Sequence, residues 1–543
     1  MREITQSRVT LFSLFLIIIG VYLSGISDDL FGNAVKYASI SKELLLREDW
    51  MKLTYRGGEP YLQKPPLFFW VNTISLKLFG VNPLAYRIPS LLFFIFGLYS
   101  LFKLTTLCYN KETGLLATLL TACSLVSLMF MNNVKIDMFM MNTIIFAVWQ
   151  FFLALKQNKW INYILGFIGC GIALLIKGPI GICIPAFIVA GEIISKKDWQ
   201  NLLNIKWYIV GLPITLLSLL PATLIVYKQF GMDGVIFYFW TNNAGRISGE
   251  YLAGSRGPFF YIHTIAWLAL PWSILLFRAV FLEAKQVWNN RIKKEGHGLF
   301  LGSMLFLIII SISSFKRQHY PIPILPFLFA ITAHWTFPLL KHNPKWFSIS
   351  HITLSVLLLL GALFVSFYFI PNNYSHLAIL LMVIPVLLLF KYYHLSNGTK
   401  VLLTSLTSIL IVGSLMNSRF YPFLLSHDGY IKACKIVNRS SLNDQALYQY
   451  RTYGEETFFY LNSPAHNLET LENWHPTQQH IWLLTDEEGK ETFSRLHQDN
   501  YTSQLIKHQK VSQPKWLWSS KDRSQSLYLI KFKNSSAQTA IAD

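Results

Sequence analysis

Charge is what this chain has least of. Only 14% of its 543 residues are Asp, Glu, Lys or Arg, whereas soluble domains carry roughly 25%. That shortage excludes a wholly water-soluble protein. Acidic residues are the scarcer sign, 28 against 47 basic, for a formal net charge of +19. Nucleic acid could use such an excess, but no basic-aromatic binding motif accompanies it, so no nucleic-acid partner is expected. The five cysteines are also uninformative. Cys108, Cys123, Cys170 and Cys183 lie in or beside apolar segments and Cys434 stands alone beyond them. Without a CxxC or Cys/His spacing, neither a disulfide framework nor a zinc site is indicated. A glycine-rich nucleotide-binding loop is missing as well.

What fills the chain instead is apolar: 53% hydrophobic and 15% aromatic. A bilayer is crossed by about 20 apolar residues, with about 17 tolerable. Such runs, or slightly shorter ones, occur at 11–23, 88–107, 114–131, 138–155, 161–176, 178–194, 207–227, 259–281, 298–314, 321–340, 346–370, 376–393 and 401–416. The expected fold is an α-helical polytopic membrane protein with about thirteen transmembrane helices. No small-x-small cleavage site follows the first run, which reads as a retained span rather than a signal peptide.

Alternation tests the orientation. With the N-terminus inside, the inside connections hold Lys103 and Lys111, Lys156 and Lys159, and Lys196, Lys197 and Lys206. Later ones hold Lys285, Arg291, Lys293 and Lys294, then Lys341 and Lys345, then Lys391 and Lys400. All are basic, as cytoplasmic loops should be, and anionic lipid headgroups suit them. The outer face then receives a long first loop (about 25–87), the turn at Lys135 and Asp137, Lys177-Gly178-Pro179, an interfacial loop (about 228–258) and Lys316-Arg317-Gln318-His319-Tyr320. The unusual polar residues thus converge on one face.

The chain divides into a membrane domain, 1–417, and a tail, 418–543, of ordinary soluble composition. Residues 446–450, 480–485, 501–511 and 526–532 have strand-like content, and 486–498 is helical with acids at its start. The tail is expected to be an α/β domain outside the membrane, on the periplasmic side.

Charged groups at a bilayer edge are costly and are functional candidates by default. Asp137 fits either a cavity carboxylate or a helix N-terminus. Lys177 fits either a site cation or a snorkelling lysine. Lys64, before Pro65-Pro66, and Arg246, after Asn242-Asn243-Ala244-Gly245, lie in aromatic-rich segments suited to the membrane interface. They could grip a phosphate, the arginine as a planar fork, or simply attract anionic lipid. Lys316, Arg317, His319 and Tyr320 extend the same basic surface.

In order along the chain, seven segments resemble the bacterial members of the protein O-mannosyltransferase superfamily, and most closely its ArnT-like, lipid A aminoarabinose transferase branch. They are Tyr37-Ala38-Ser39-Ile40-Ser41-Lys42-Glu43, Asp49-Trp50, Gln63-Lys64-Pro65-Pro66 with Trp70, Gly80 to Arg87, Lys177-Gly178, Phe239-Trp240 through Arg246 to Pro271-Trp272, and Lys316 with Tyr320. The resemblance implies a membrane glycosyltransferase of GT-C fold in the bacterial inner membrane. Its donor would be a sugar on polyprenyl (undecaprenyl) phosphate, and its acceptor lipid A or another envelope glycolipid. Carried over, Lys64, Arg246 and Tyr320 would bind the donor phosphate with Lys316 nearby. Asp137 would be the cavity acid, and Tyr37, Lys177, Arg317 and His319 further cavity residues.

One departure stands out. The family's first-loop aspartate falls on Asn33, which cannot act as a base at neutral pH. Asp28 and Asp29, a few residues upstream, are alternative carboxylates. The family's glutamate before Lys-Pro is Gln63, so no cofactor is implied and a required metal is not expected. An already ionised phosphate acceptor needs no base, unlike an alcohol, which leans toward lipid A over a protein acceptor. A polyprenyl-linked sugar transporter would instead place polar groups near the bilayer midplane, and an inactive carrier-binding relative is the remaining alternative.

Overall fold

The computed structural model describes residues 8–243, 245, 248–249, 256–289, 296–369, 396–440, 442, 445–472, 474, 476, 478, 480–496, 501–511, 517 and 524–533. Seven of the described helices are long and apolar enough to cross a membrane. They are Pro83–Cys108, Ile136–Gln157, Trp160–Lys177, Trp199–Thr241, Ile322–His342, Lys345–Phe369 and Asn397–Leu425. The pair Lys111–Ala122 and Leu125–Asn132, bent by 54°, makes an eighth. The chain is therefore a multi-span helical membrane protein.

The difference from thirteen has local causes. The run 376–393 lies outside the described residues. The run 259–281 is divided into helices Phe260–Leu268 and Ser273–Trp288 around Pro271, since a proline cannot donate to the helical ladder. The run 178–194 forms helix Ile180–Lys196, only 17 residues long, with Glu192 fully buried inside it.

Two compact units are present. The first comprises Met1–Ile26, Leu62–Phe68 and Arg87–Phe420, the second Ser27–Tyr61, Phe69–Tyr86 and Tyr421–Asp543. Most of the first loop thus groups with the tail, whereas the sequence suggests that it belongs with the membrane domain.

In the first unit, Ile136–Gln157 and Trp160–Lys177 run antiparallel, joined through Asn158 in the left-handed conformation. A Cβ on Gly169 would lie 3.0 Å from Ala147 Cβ, so glycine permits this close helix approach. Ile180–Lys196 then runs back. Asp137 and Lys177 therefore share one end of this three-helix layer, and Glu192 lies near the other, about 18 Å along the helix at 1.5 Å per residue.

The second unit has a five-stranded mixed sheet made of β1 (Gln445–Tyr450), β2 (Ala465–Leu468), β3 (His480–Thr485), β4 (Tyr501–His508) and β5 (Gln525–Lys533), ordered β2-β1-β3-β5-β4. Side chains alternate across it. Trp482 and Leu484 face one core with Tyr430, Ala433, Cys434 and Val437 of helix Gly429–Ser440. Ile481 and Leu483 face another with Phe493.

The first-loop helix Asn33–Arg47 belongs to this unit and buries two charged motif residues. Lys42 Nζ donates to the carbonyls of Phe459 (3.1 Å) and Leu461 (2.5 Å). Burial pushes its pKa down to about 8, while Cys434 and Glu43 oppose the shift. Glu43 accepts from Thr54 Oγ1 and the Gly57 amide, both at 2.7 Å. These two charges hold backbone.

Candidate functional site

Asp137 lies in the first turn of helix Ile136–Gln157 and is 1% exposed. A carboxylate there benefits from the helix dipole, but no side chain caps this terminus. The Asp137 carboxylate instead pairs with Lys177 Nζ. Lys177 ends its helix, where Gly178 turns the chain at φ 91° and donates its amide to Leu174 O. A buried pair of this kind is justified only if both charges are compensated.

Cations gather around this pair. Lys177 Nζ stands 5.5 Å from the Tyr320 ring centroid, and the His319 ring meets Tyr320 edge-on at 5.2 Å. Burial pushes the His319 imidazole down to about 3. Asp137 opposes that shift, and Lys177, Lys135 and Lys64 reinforce it. His319 is therefore neutral at physiological pH, within electrostatic reach of all four groups. Lys135 is also pushed down by burial, with Asp137 opposing and Lys177 adding to the shift. Among the described residues, three lysines and one carboxylate thus surround His319, a setting suited to a phosphate.

Local structure sets each contributor. Lys64 precedes Pro65-Pro66, whose fixed φ stiffens the segment. Phe68, four residues on, packs edge-on against Phe139 of the Asp137 helix at 4.9 Å. Asn242 Nδ2 donates to Gln63 O at 3.4 Å, joining the interfacial loop to the same segment. Lys316 is only 7% exposed; its Nζ donates to Ser313 O at 2.6 Å and its own carbonyl accepts from Arg256 Nη1 at 2.6 Å. Arg317 is exposed, with its guanidinium 4.7 Å over Phe315.

Between Asn132 and Asp137 the chain makes a tight reversal. Val134 is buried with φ +44°, a conformation that costs a β-branched residue about 1–3 kcal/mol and persists only where surrounding structure imposes it.

The cluster brings together Asp137, Lys64, Lys177, His319 and Tyr320 from the residues singled out in the sequence. Lys135 was missed there. The signal was available: a lysine at a helix N-terminus opposes the dipole and needs another reason to be there. Arg246 lies outside the described residues. Asp28, Asp29, Asn33 and Tyr37 belong to the second unit. Asp29 pairs with Lys435 at 2.7 Å. Asn33, exposed, is the first residue of its helix after Gly32 at φ 58°. Tyr37 packs edge-on against Phe69 at 5.8 Å. Among the described residues no group of three or more His, Cys, Asp or Glu could hold a metal ion.

Comparison with known proteins bears on this arrangement. Residues 63–225 match the dolichyl-phosphate-mannose-protein mannosyltransferase family. The crystal structure of ArnT from Cupriavidus metallidurans bound to undecaprenyl phosphate superposes with a TM-score of 0.71 at 14% identity, covering 96% of this chain and 97% of that one. The chain shares the GT-C fold of that structure. The apo ArnT structure from the same organism gives the same figures. In sequence, the chain is 27% identical over 332 residues to the undecaprenyl phosphate-alpha-4-amino-4-deoxy-L-arabinose arabinosyl transferase of Yersinia pestis, across 60% of this chain and 58% of the relative. The same-named protein of Pseudomonas paraeruginosa is 27% identical over 337 residues, across 61% and 60%. The chain thus matches less than two thirds of the length of these curated relatives.

Proposed function

We propose that this chain is a membrane glycosyltransferase that moves a monosaccharide from a polyprenyl-phosphate carrier to an envelope acceptor, with lipid A as the favoured acceptor. Its place is the bacterial inner membrane, with the Asp137 cluster and the sheet domain on the periplasmic side. The observation that carries this reading is the buried Asp137–Lys177 pair set among Lys64, Lys135 and neutral His319.

The chemistry follows from charge. As the bond between the anomeric carbon and the carrier phosphate breaks, negative charge grows on the leaving phosphate. Fixed cations aimed at that charge lower the barrier. Lys64, Lys135 and the Tyr320 hydroxyl are the groups assigned to the phosphate, with Arg246 joining them. Lys177 pairs with the Asp137 carboxylate and fixes its place. An acceptor phosphate brings its own negative charge as nucleophile and needs no proton removed, whereas an alcohol acceptor calls on a carboxylate base. Lys316 serves by holding its turn through Ser313.

Membranes containing the chain, incubated with labelled polyprenyl-phosphate sugars, test the proposal. Label recovered in lipid A supports it, and label that only changes leaflet, as a transporter would give, overturns it. Label in protein supports a second reading, a protein O-glycosyltransferase, which the family match over residues 63–225 favours.

A further inference from the structure

Arg87 holds the segment that delivers Asp137. It is a buried guanidinium, 5% exposed, on helix Pro83–Cys108. Its Nε donates to Asn132 O at 2.7 Å and its Nη1 to Ile26 O at 3.0 Å. Asn132 closes helix Leu125–Asn132, and its Nδ2 donates to Asn417 Oδ1 at 3.2 Å. Asn417 in turn donates from Nδ2 to Val21 O at 3.1 Å. The residue that opens the reversal is therefore tied to three other stretches of chain. Beyond it, the Val134 amide donates to Met131 O and the Lys135 amide to Phe130 O, both at 3.1 Å. Asp137 follows two residues later.

We infer that Arg87, with Asn132 and Asn417, is a positioning brace for the Asp137 turn. The physical case has two parts. First, the positive φ at Val134 needs something to impose it, and a clamp on the carbonyl two residues earlier does so. Second, the planar fork of arginine reaches two carbonyls in fixed directions, which the point charge of lysine cannot reproduce. Releasing the brace lets the turn relax and carries Asp137 and Lys135 away from the reacting atoms, leaving the Lys64 segment in place. A misplacement of about 1 Å costs about 10²-fold in rate. The consequence for catalysis rests on the function proposed above; the consequence for the turn does not.

Two measurements on the full-length chain in lipid nanodiscs keep these apart. Hydrogen exchange in Arg87→Lys and Arg87→Gln reads the turn directly. The Val134 and Lys135 amides should exchange faster than in the wild type, while the Gly298 amide, which is bound to Glu192, keeps its protection. Unchanged protection at Val134 and Lys135 overturns the brace whatever the activity. Steady-state sugar transfer reads the consequence. With an active wild type, kcat should fall about 10²-fold, and the KM for the polyprenyl-phosphate sugar should rise by less than that as Lys135 leaves the donor phosphate. A matching rise in KM, or an undiminished kcat, overturns the positioning role. A wild type that transfers no sugar counts against the proposed function alone, since the exchange result still decides the brace. Should the Arg87 variants fail to fold, Asn417→Ala loosens Asn132 from the other side, and the same two readouts apply.

Discussion

The first unit buries carboxylates toward both ends of its helical layer and satisfies them in different ways. Near one end, Glu192 accepts from the Gly296 amide (3.2 Å to each oxygen), the Gly298 amide (2.9 Å) and Lys196 Nζ (2.9 Å). Glu283 is held by His297 Nδ1 at 2.6 Å and Trp335 Nε1 at 2.7 Å. Each of these acids is closed off by several donors, and they fix helix His297–Ile312 and its neighbours. At the other end Asp137 pairs with Lys177, and Lys64 and Lys135 gather with them within electrostatic reach of His319. Burial by itself thus says little about function. Convergence of several cations from separate segments is the better sign.

The comparison breaks most easily through activity. Asp137→Asn removes the partner that fixes Lys177 at the site and should lower sugar transfer about 10²-fold through misplacement, and Glu192→Gln and Glu283→Gln should leave the rate per folded molecule unchanged. Equal losses on both sides would end the distinction. Stability is the next test. Lys177→Met strands a buried carboxylate and should cost about 3–5 kcal/mol, read as the shift in unfolding in detergent. Glu192→Gln keeps an acceptor oxygen and should cost only about 1–3 kcal/mol.

Lys64→Gln tests the gathering of cations itself. Losing one charged hydrogen bond should raise the donor KM about tenfold to a hundredfold, with little change in melting temperature. The smallest effect concerns His319, whose folded pKa of about 3 lies below its ordinary 6.5. The unfolded chain then binds the extra proton between those values, so this contribution to stability is present above 6.5 and is lost as pH falls. From pH 7 to 5 the wild type should lose about 1–2 kcal/mol relative to His319→Gln. Parallel pH profiles for the two proteins would show that His319 is not held neutral.

Much of this was legible in the sequence because membranes and strands leave simple patterns. The clean run after Asp137 marked its helix, and strand-like content at 480–485 marked the strand His480–Thr485. The isolated polar interval at 132–137 marked a turn worth watching. What escaped was tertiary. Sequence spacing cannot show that Lys42 and Glu43, inside a motif, hold backbone rather than substrate. Nor can it show that Lys135 stands within reach of Lys177, since that follows from two helices running antiparallel. The run 259–281 looked like one span because its composition is apolar throughout, whereas the helix stops at Leu268 and a new one starts at Ser273.

The lysines gathered around His319 also bear on what happens after the chemistry. On the proposed reaction the donor enters as a phosphodiester carrying one negative charge. The spent carrier is a monoester, whose second ionisation gives a charge of about −1.5 to −2 at neutral pH. A pocket lined by lysines holds the second more firmly than the first. On that reading departure of the spent carrier becomes the slow step, and raising ionic strength should speed turnover while weakening capture of the donor.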